Sequence, residues 1–237
     1  MEYKQFLETK KKTFISSGFD IDENKLNSNL FDFQRYIVKI ALSKGRFAIF
    51  ADCGLGKTLM QLEWANQVSK HTSKPVLILT PLAVSGQTIK EGYKFGINVG
   101  KYGTNSLIQI SNYEQLENID CSMFSGIVLD ESSILKNYNG KIKELIIKSF
   151  ECTPYKLACT ATPSPNDHIE LGNHSEFLNV MKSKEMVSMF FINDAFSKEN
   201  NISKWRLKKH ATSDFFKWVS SWALMISNPS DIGFDSN

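Results

Sequence analysis

Phe47-Ala-Ile-Phe-Ala-Asp-Cys-Gly-Leu-Gly-Lys-Thr-Leu-Met60 decides the reading of this chain. An apolar run enters a turn with two glycines, and the turn ends in Gly56-Lys57-Thr58. The following stretch, Lys57 to Val68, reads as a helix. Strand, tight loop and helix in that order are the setting of a phosphate-binding loop. Gly54 and Gly56 admit backbone angles closed to other residues, so successive N–H groups can turn inward on an anion. The start of the helix adds partial positive charge at the same place. The expected cradle is Cys53, Gly54, Leu55, Gly56, Lys57 and Thr58. Lys57 would reach the β- and γ-phosphates, and the Thr58 hydroxyl would sit on Mg²⁺. Ala51 stands where the usual pattern begins with Gly, so a strict motif match misses the loop.

Three further features support it from a distance. Gly126-Ile-Val-Leu-Asp-Glu-Ser-Ser133 runs an apolar strand into two acids. A buried parallel strand delivers such a pair to its C-terminal edge, where open α/β sheets bind ligands. Asp130 would hold Mg²⁺ through its water shell, and Glu131 would orient and deprotonate an attacking water. An acid pair after a strand also serves as a plain helix cap. Tyr155-Lys-Leu-Ala-Cys-Thr-Ala-Thr-Pro163 ends in Thr160 and Thr162, whose hydroxyls can link the metal site to its surroundings. Gln34, 20 residues before Gly54, carries an amide that both donates and accepts, as reading an adenine edge requires.

Strand-like runs at 47–51, 76–80, 107–110, 127–130 and 155–160 alternate with helical patterns at 30–42, 57–68 and 84–94 and with a loop and amphipathic helix within 137–149. That alternation predicts an α/β fold with a mainly parallel central sheet flanked by helices. The chain of 237 residues is 42% hydrophobic with a net charge of +3, which suits one large domain and neither demands nor excludes a polyanion. Its polar start reads as no signal peptide, and no apolar run nears the roughly 20 residues that span a bilayer. Four cysteines without close pairing suggest neither zinc nor a disulfide framework, and fit a reducing cytoplasm.

Residues 168–237 change character. Ile169 to Met181 reads as a helix, Met186 to Phe196 is apolar and aromatic, and Asp214 to Ile226 reads as one aromatic helix. Between 182 and 217 there are eight Lys and Arg against four Asp and Glu. Lys204, Arg206, Lys208 and Lys209 surround Trp205, a pattern that fits phosphate contact and equally a solvated face over a core. Trp218 and Trp222, at i and i+4, are expected in the core.

Taken in order, Gln34, Ala51–Thr58, Leu79-Thr-Pro81, Asp130-Glu-Ser-Ser133 and Thr160-Ala-Thr-Pro163 resemble the first RecA-like lobe of a superfamily-two, DEAD-like helicase. Gly-Leu-Gly-Lys-Thr and the early Gln look most like the Swi/Snf-type branch, especially compact helicases of phages and mobile elements. The Thr-Pro-Ser-Pro-Asn run at 162–166 and Pro229-Ser-Asp-Ile-Gly233 have counterparts there. The resemblance covers about Leu30 to Phe234. It implies a RecA-like P-loop fold at 30–175, after a polar segment at 1–29, with a helical, partly basic extension at 176–237.

The same resemblance implies ATP and Mg²⁺ as cofactors and a DNA-dependent ATPase of helicase or translocase type. Gln34 would read adenine, Lys57, Asp130 and Glu131 would serve catalysis, and Thr160 and Thr162 would couple hydrolysis to grip. Thr80, Pro81, Ser111, Asn112 and Tyr113 lie where the family touches a nucleic-acid backbone, DNA in preference to RNA. Asp52 and Cys53 stand where this branch more often has Glu and Met. The family's second RecA-like lobe, with its arginine finger, has no matching motif among Arg35, Arg46 and Arg206. The expectation is therefore nucleotide binding, with weak hydrolysis until a second lobe joins in cis or trans, and no membrane partner. Two other classes fit the same motifs: an ATPase that remodels protein complexes, and a nucleotide- or DNA-binding module without turnover.

Overall fold

The computed structural model describes residues 16–136, 140–164, 167–193 and 205–235. The apolar run ahead of the phosphate loop forms strand β1 (Arg46–Ala51), preceded by helix α1 (Asp32–Lys44) and followed by α2 (Lys57–Thr72). Next come β2 (Val76–Thr80), α3 (Ser85–Lys94), β3 (Val99–Lys101), β4 (Ile108–Asn112) and β5 (Gly126–Asp130). After them lie α4 (Lys141–Ser149), β6 (Tyr155–Thr160), α5 (Leu171–Phe177) and α6 (Ser183–Phe190). A short ribbon of β7 (Phe191–Asn193) and β8 (Trp205–Leu207), helix α7 (Thr212–Trp222) and β9 (Ala223–Ile226) follow.

Seven strands form one sheet in the order β3-β4-β2-β5-β6-β1-β9, and every neighbouring pair is parallel. A parallel sheet covered on both faces needs strands apolar along their length, and β2 is buried at all five residues. Alternation then divides each strand between two cores. Ala48, Phe50, Leu77, Leu79, Ile127 and Leu129 face a core with Leu171 and Phe177 of α5 and Phe215, Trp218 and Trp222 of α7. Phe47, Ile49, Ala51, Ile78, Val128 and Leu157 face a second core with Ile37, Val38 and Leu42 of α1 and Leu59, Leu62 and Trp64 of α2. Trp218 and Trp222 pack edge to face, with ring centres 5.2 Å apart.

The predicted parallel α/β sheet is present, and it is larger than expected. Strand β3 is three residues long with a central glycine, too short to carry an alternating pattern. Strand β9 lay inside the run read as one helix from Asp214 to Ile226. That helix ends at Trp222, and Ala223 is already extended. Ala-Leu-Met-Ile has no local bias against helix, so the open edge of β1 decides its conformation. The extension at 176–237 is accordingly not helical throughout, since β7, β8 and β9 all lie in it. The helix expected over 169–181 is also shorter, because α5 closes at Phe177 and Asn179 takes φ 54°. In the polar first segment, residues 1–15 lie outside the described residues, and Glu23–Lys25 forms a 3-10 turn.

Candidate nucleotide site

Because β5, β6 and β1 are neighbours in the sheet, their C-terminal ends bring three loops together. These are the acid pair after β5, the threonines after β6 and the phosphate loop after β1. Gly54 (φ 86°) and Gly56 (φ 72°) take left-handed backbone that side chains disfavour. Gly56 is the N-cap of α2, with no side-chain cap and no acid in the first turn. The first N–H groups of a helix have no partner within it, so this helix presents donors to an anion. A Cβ at Gly54 would meet nothing within 4 Å, whereas one at Gly56 would collide with the Gln34 amide. The Lys57 ammonium donates to the carbonyls of Ala51 at 2.8 Å and Asp52 at 3.0 Å.

Gln61, one turn beyond Lys57 on α2, donates its amide to Asp130 Oδ1 at 2.9 Å. That bond ties the phosphate-loop helix to the acid pair. Burial pushes the Asp130 carboxyl up; the Gln61 bond opposes this, the Glu131 charge adds to it, and Lys57 opposes it. Lys57 and Asp130 therefore share one electrostatic environment. Glu131 sits at φ 58°, a left-handed conformation that costs a non-glycine residue roughly 1 kcal/mol or more. Thr160 donates its hydroxyl to Glu131 Oε1 at 2.6 Å, and the Thr162 N–H donates to Thr160 Oγ1 at 3.0 Å. Tyr113 donates its hydroxyl to the Asp130 carbonyl at 2.7 Å. With Oδ1 engaged by Gln61, Asp130 keeps a second carboxylate oxygen. That oxygen and the Thr58 hydroxyl at the head of α2 are the hard donors Mg²⁺ takes, so the residues present fit the ion.

Gln34 is 3% exposed. Its Oε1 accepts from the Phe31 N–H at 3.0 Å, and its Nε2 donates to the Leu55 carbonyl at 2.9 Å. The amide thus fastens the start of α1 to the phosphate loop, and these two bonds use one of its two N–H groups and one of its two lone pairs.

The nucleic-acid candidates divide. Pro81, Ser111 and Asn112 are half-buried at the C-terminal ends of β2 and β4. A cavity of about 360 Å³ opens beside them, lined in part by Leu82, Ser85, Lys101, Tyr102, Ser111 and Asn112. Thr80 and Tyr113 differ from the expected surface contact. Both are buried, and their hydroxyls donate to the chain's own carbonyls, at Pro81 and Asp130. Lys208 is half-buried, and its ammonium donates to the Ser188 and Met189 carbonyls, both at 2.9 Å, near the end of α6. Arg206 and Lys209 are exposed, and Lys204 lies outside the described residues, as do Pro165 and Asn166.

Sequence reasoning missed Gln61, Asn173 and His174. Gln61 had a legible signal, since i+4 from Lys57 lies on the same helix face. Asn173 and His174 are buried on α5 and meet the turn Ser132–Lys136 only through the tertiary fold.

The family model for the SNF2-related domain matches residues 56–213. The chain belongs to that family. No curated protein sequence matches it significantly. Among solved structures, this SNF2-related chain is similar to the Sulfolobus solfataricus SWI2/SNF2 ATPase core in complex with dsDNA, with a TM-score of 0.67 and 22% identity. That match covers 87% of this chain and 46% of the other, so the chain spans about half the length of that core. The UvsW helicase from bacteriophage T4 matches with a TM-score of 0.54 and 16% identity, over 77% of this chain and 66% of that one. The Pyrococcus furiosus Hef helicase domain matches at 0.55 and 18%, over 65% and 38%. At these identities the likeness is one of fold, the RecA-like lobe of helicase cores. Among the described residues no helix is long and apolar enough to cross a membrane.

Proposed function

We propose that this SNF2-related lobe binds ATP with Mg²⁺ and hydrolyses it to drive movement along DNA. The observation that carries the reading is the Gln61–Asp130 bond, which joins the phosphate-loop helix to the acid pair. The loop N–H groups and Lys57 grip the triphosphate, and Lys57 leaves the Ala51 and Asp52 carbonyls to do so. Asp130 and Thr58 would hold Mg²⁺, which would supply neutralisation of phosphate charge. Glu131, aimed by Thr160, accepts a proton as the water oxygen bonds to the γ-phosphorus. The bond to the β–γ bridging oxygen breaks, giving ADP and phosphate. Gln34 contacts adenine with its remaining donor and acceptor, while Cys53 and Leu55 contribute backbone to the loop. Thr160 and Thr162 pass the change to the nucleic-acid surface.

That surface comprises Pro81, Ser111 and Asn112, with Thr80 and Tyr113 shaping it from beneath. Arg206 and Lys209 add positive charge, and Lys204 and Lys208 belong to the same basic stretch. DNA is favoured over RNA because a SWI2/SNF2 core of the same fold was solved with dsDNA. Contacts to the phosphate backbone carry no sequence code. Residues 30–175 act as the nucleotide lobe, 1–29 precede it, and 176–237 lead toward a second RecA-like lobe that supplies an arginine finger. A reducing cytoplasm suits the four free thiols.

Single-turnover hydrolysis with the chain in excess over ATP tests the chemistry. Slow hydrolysis by the native chain, lost in Glu131→Gln, supports it, and equal rates overturn it. A titration with duplex DNA at rising salt tests the track, because phosphate contacts must weaken as salt rises. Binding that ignores salt contradicts the DNA assignment and favours a protein-remodelling ATPase. Fast DNA-stimulated turnover by these 237 residues alone contradicts the need for a second lobe.

A further inference from the structure

The turn Ser132–Lys136 follows Glu131 directly, and α5 holds it at both ends. At its start, Ser132 Oγ and His174 Nε2 lie 3.1 Å apart in a hydrogen bond between two fully buried side chains. At its end, Asn173 Nδ2 donates to the Leu135 carbonyl at 2.7 Å and the Lys136 carbonyl at 3.4 Å. Asn173 is 1% exposed and His174 is 0% exposed. Two adjacent polar side chains in such a place are unfavourable unless their bonds do something apolar residues cannot. Here both are directed at one turn.

We propose that Asn173 and His174 are positioning residues for Glu131, holding the turn after it so that its backbone keeps the left-handed conformation that aims the carboxylate. This rests on the reading of Glu131 as the proton acceptor. The strain at φ 58° persists only where surrounding structure over-determines it. On the near side of Glu131 the bonds come from Tyr113 to the Asp130 carbonyl and from Thr160 to the carboxylate. On the far side they come from α5. That helix is itself fixed: Ser175 donates to the Gly172 and Met181 carbonyls, and the His174 ring stands edge-on to Phe50 of β1, centres 5.2 Å apart. Burial holds the imidazole down to about 4, against the backbone groups of Glu170 and Ser132, so the ring is neutral at physiological pH. It orients the turn without adding charge beside the acids.

The test compares His174→Ala, Asn173→Ala, Ser132→Ala and His174→Gln with the native chain. Melting temperature, the Kd of a fluorescent ATP analogue, single-turnover hydrolysis and hydrogen exchange over residues 131–136 are the readouts. Loss of the clamp should lower turnover about 10- to 100-fold while the analogue Kd stays within about twofold. Exchange should rise within the turn, and His174→Gln, whose amide can replace Nε2, should recover most of the rate. In a Glu131→Gln background His174→Ala should cause no further loss. A fall in turnover that tracks lost affinity or lost fold, a further fall in that background, or unchanged exchange at the turn overturns the proposal. Where His174→Ala does not fold, Ser132→Ala removes the same bond from the other side. If Glu131→Gln alone leaves turnover intact, the reading of Glu131 fails, and exchange at the turn still judges the clamp.

Discussion

The phosphate loop and the acid turn face each other across one site and are held in opposite ways. The loop has an exposed crest at Asp52, Cys53 and Gly54. Its anchors are the Lys57 ammonium, the Gln34 amide and the Asp52 N–H donating to the Ile226 carbonyl at 3.1 Å. The acid turn is reached by Gln61, Tyr113, Thr160, Asn173 and His174, from three different elements and the Tyr113 turn. A loop that grips a ligand can exchange internal bonds for ligand bonds when it binds. A group that acts in the transition state must be aimed beforehand, because reorganisation at that moment subtracts from the rate. The contrast predicts that changes in the turn act on turnover and changes in the loop act on affinity.

The largest expected effect is at Glu131. Its replacement by Gln should lower single-turnover hydrolysis by roughly 10²- to 10⁴-fold, with the ATP Kd little changed. A matching loss of affinity would erase the contrast. Lys57→Ala should weaken ATP binding by about 10- to 100-fold, the scale of one lost charge-assisted phosphate contact, as read by calorimetry. Gly56→Ala should destabilise the chain by roughly 1–3 kcal/mol in urea unfolding, because it strains φ 72° and displaces the Gln34 amide that braces the loop.

A smaller effect comes from outside both regions and serves as their control. Lys156 is fully buried near the start of β6, and its ammonium donates to the Phe177 carbonyl at 2.9 Å. Burial pushes its amine from 10.5 down to about 7; Arg46 adds to this, and Glu151 and Cys152 oppose it. Between those values the unfolded chain holds more protons than the folded one, so stability rises with pH from 7 toward 10.5 and this contribution is flat below 7. The rise should be about 1 kcal/mol per pH unit, absent in Lys156→Met, with ATP affinity unaffected. Equal pH dependence in the two proteins would show that the buried amine is not its source.

The loop was legible because its chemistry is local: an apolar run, two glycines and Gly-Lys-Thr specify strand, turn and helix without help. Asp130 and Glu131 were legible for the same reason, since strand and acids are contiguous. Gln61 shares a helix face with Lys57, but its partner Asp130 lies 69 residues away, and Asn173 and His174 reach partners 38 and 42 residues away that nothing local announces. Strand β9 was hidden because Ala-Leu-Met-Ile suits a helix as well, and only the edge of β1 selects the strand. Thr80, Tyr113 and Lys208 had been read as surface groups from their place in the chain. Tyr113 and Lys208 bond carbonyls 17 to 20 residues away that only the fold brings within reach, whereas Thr80 is buried by the sheet and bonds the adjacent Pro81 carbonyl.

The magnesium dependence of ATP binding tests most directly whether loop and acid turn form one site. Calorimetric titrations of ATP onto the native chain and Asp130→Asn, each with Mg²⁺ and with a chelator, give the four affinities needed. The account predicts that Mg²⁺ tightens binding to the native chain and that Asp130→Asn loses this gain while binding ATP equally in chelator. An unchanged magnesium gain in Asp130→Asn, or no ATP binding to the native chain at all, would contradict it.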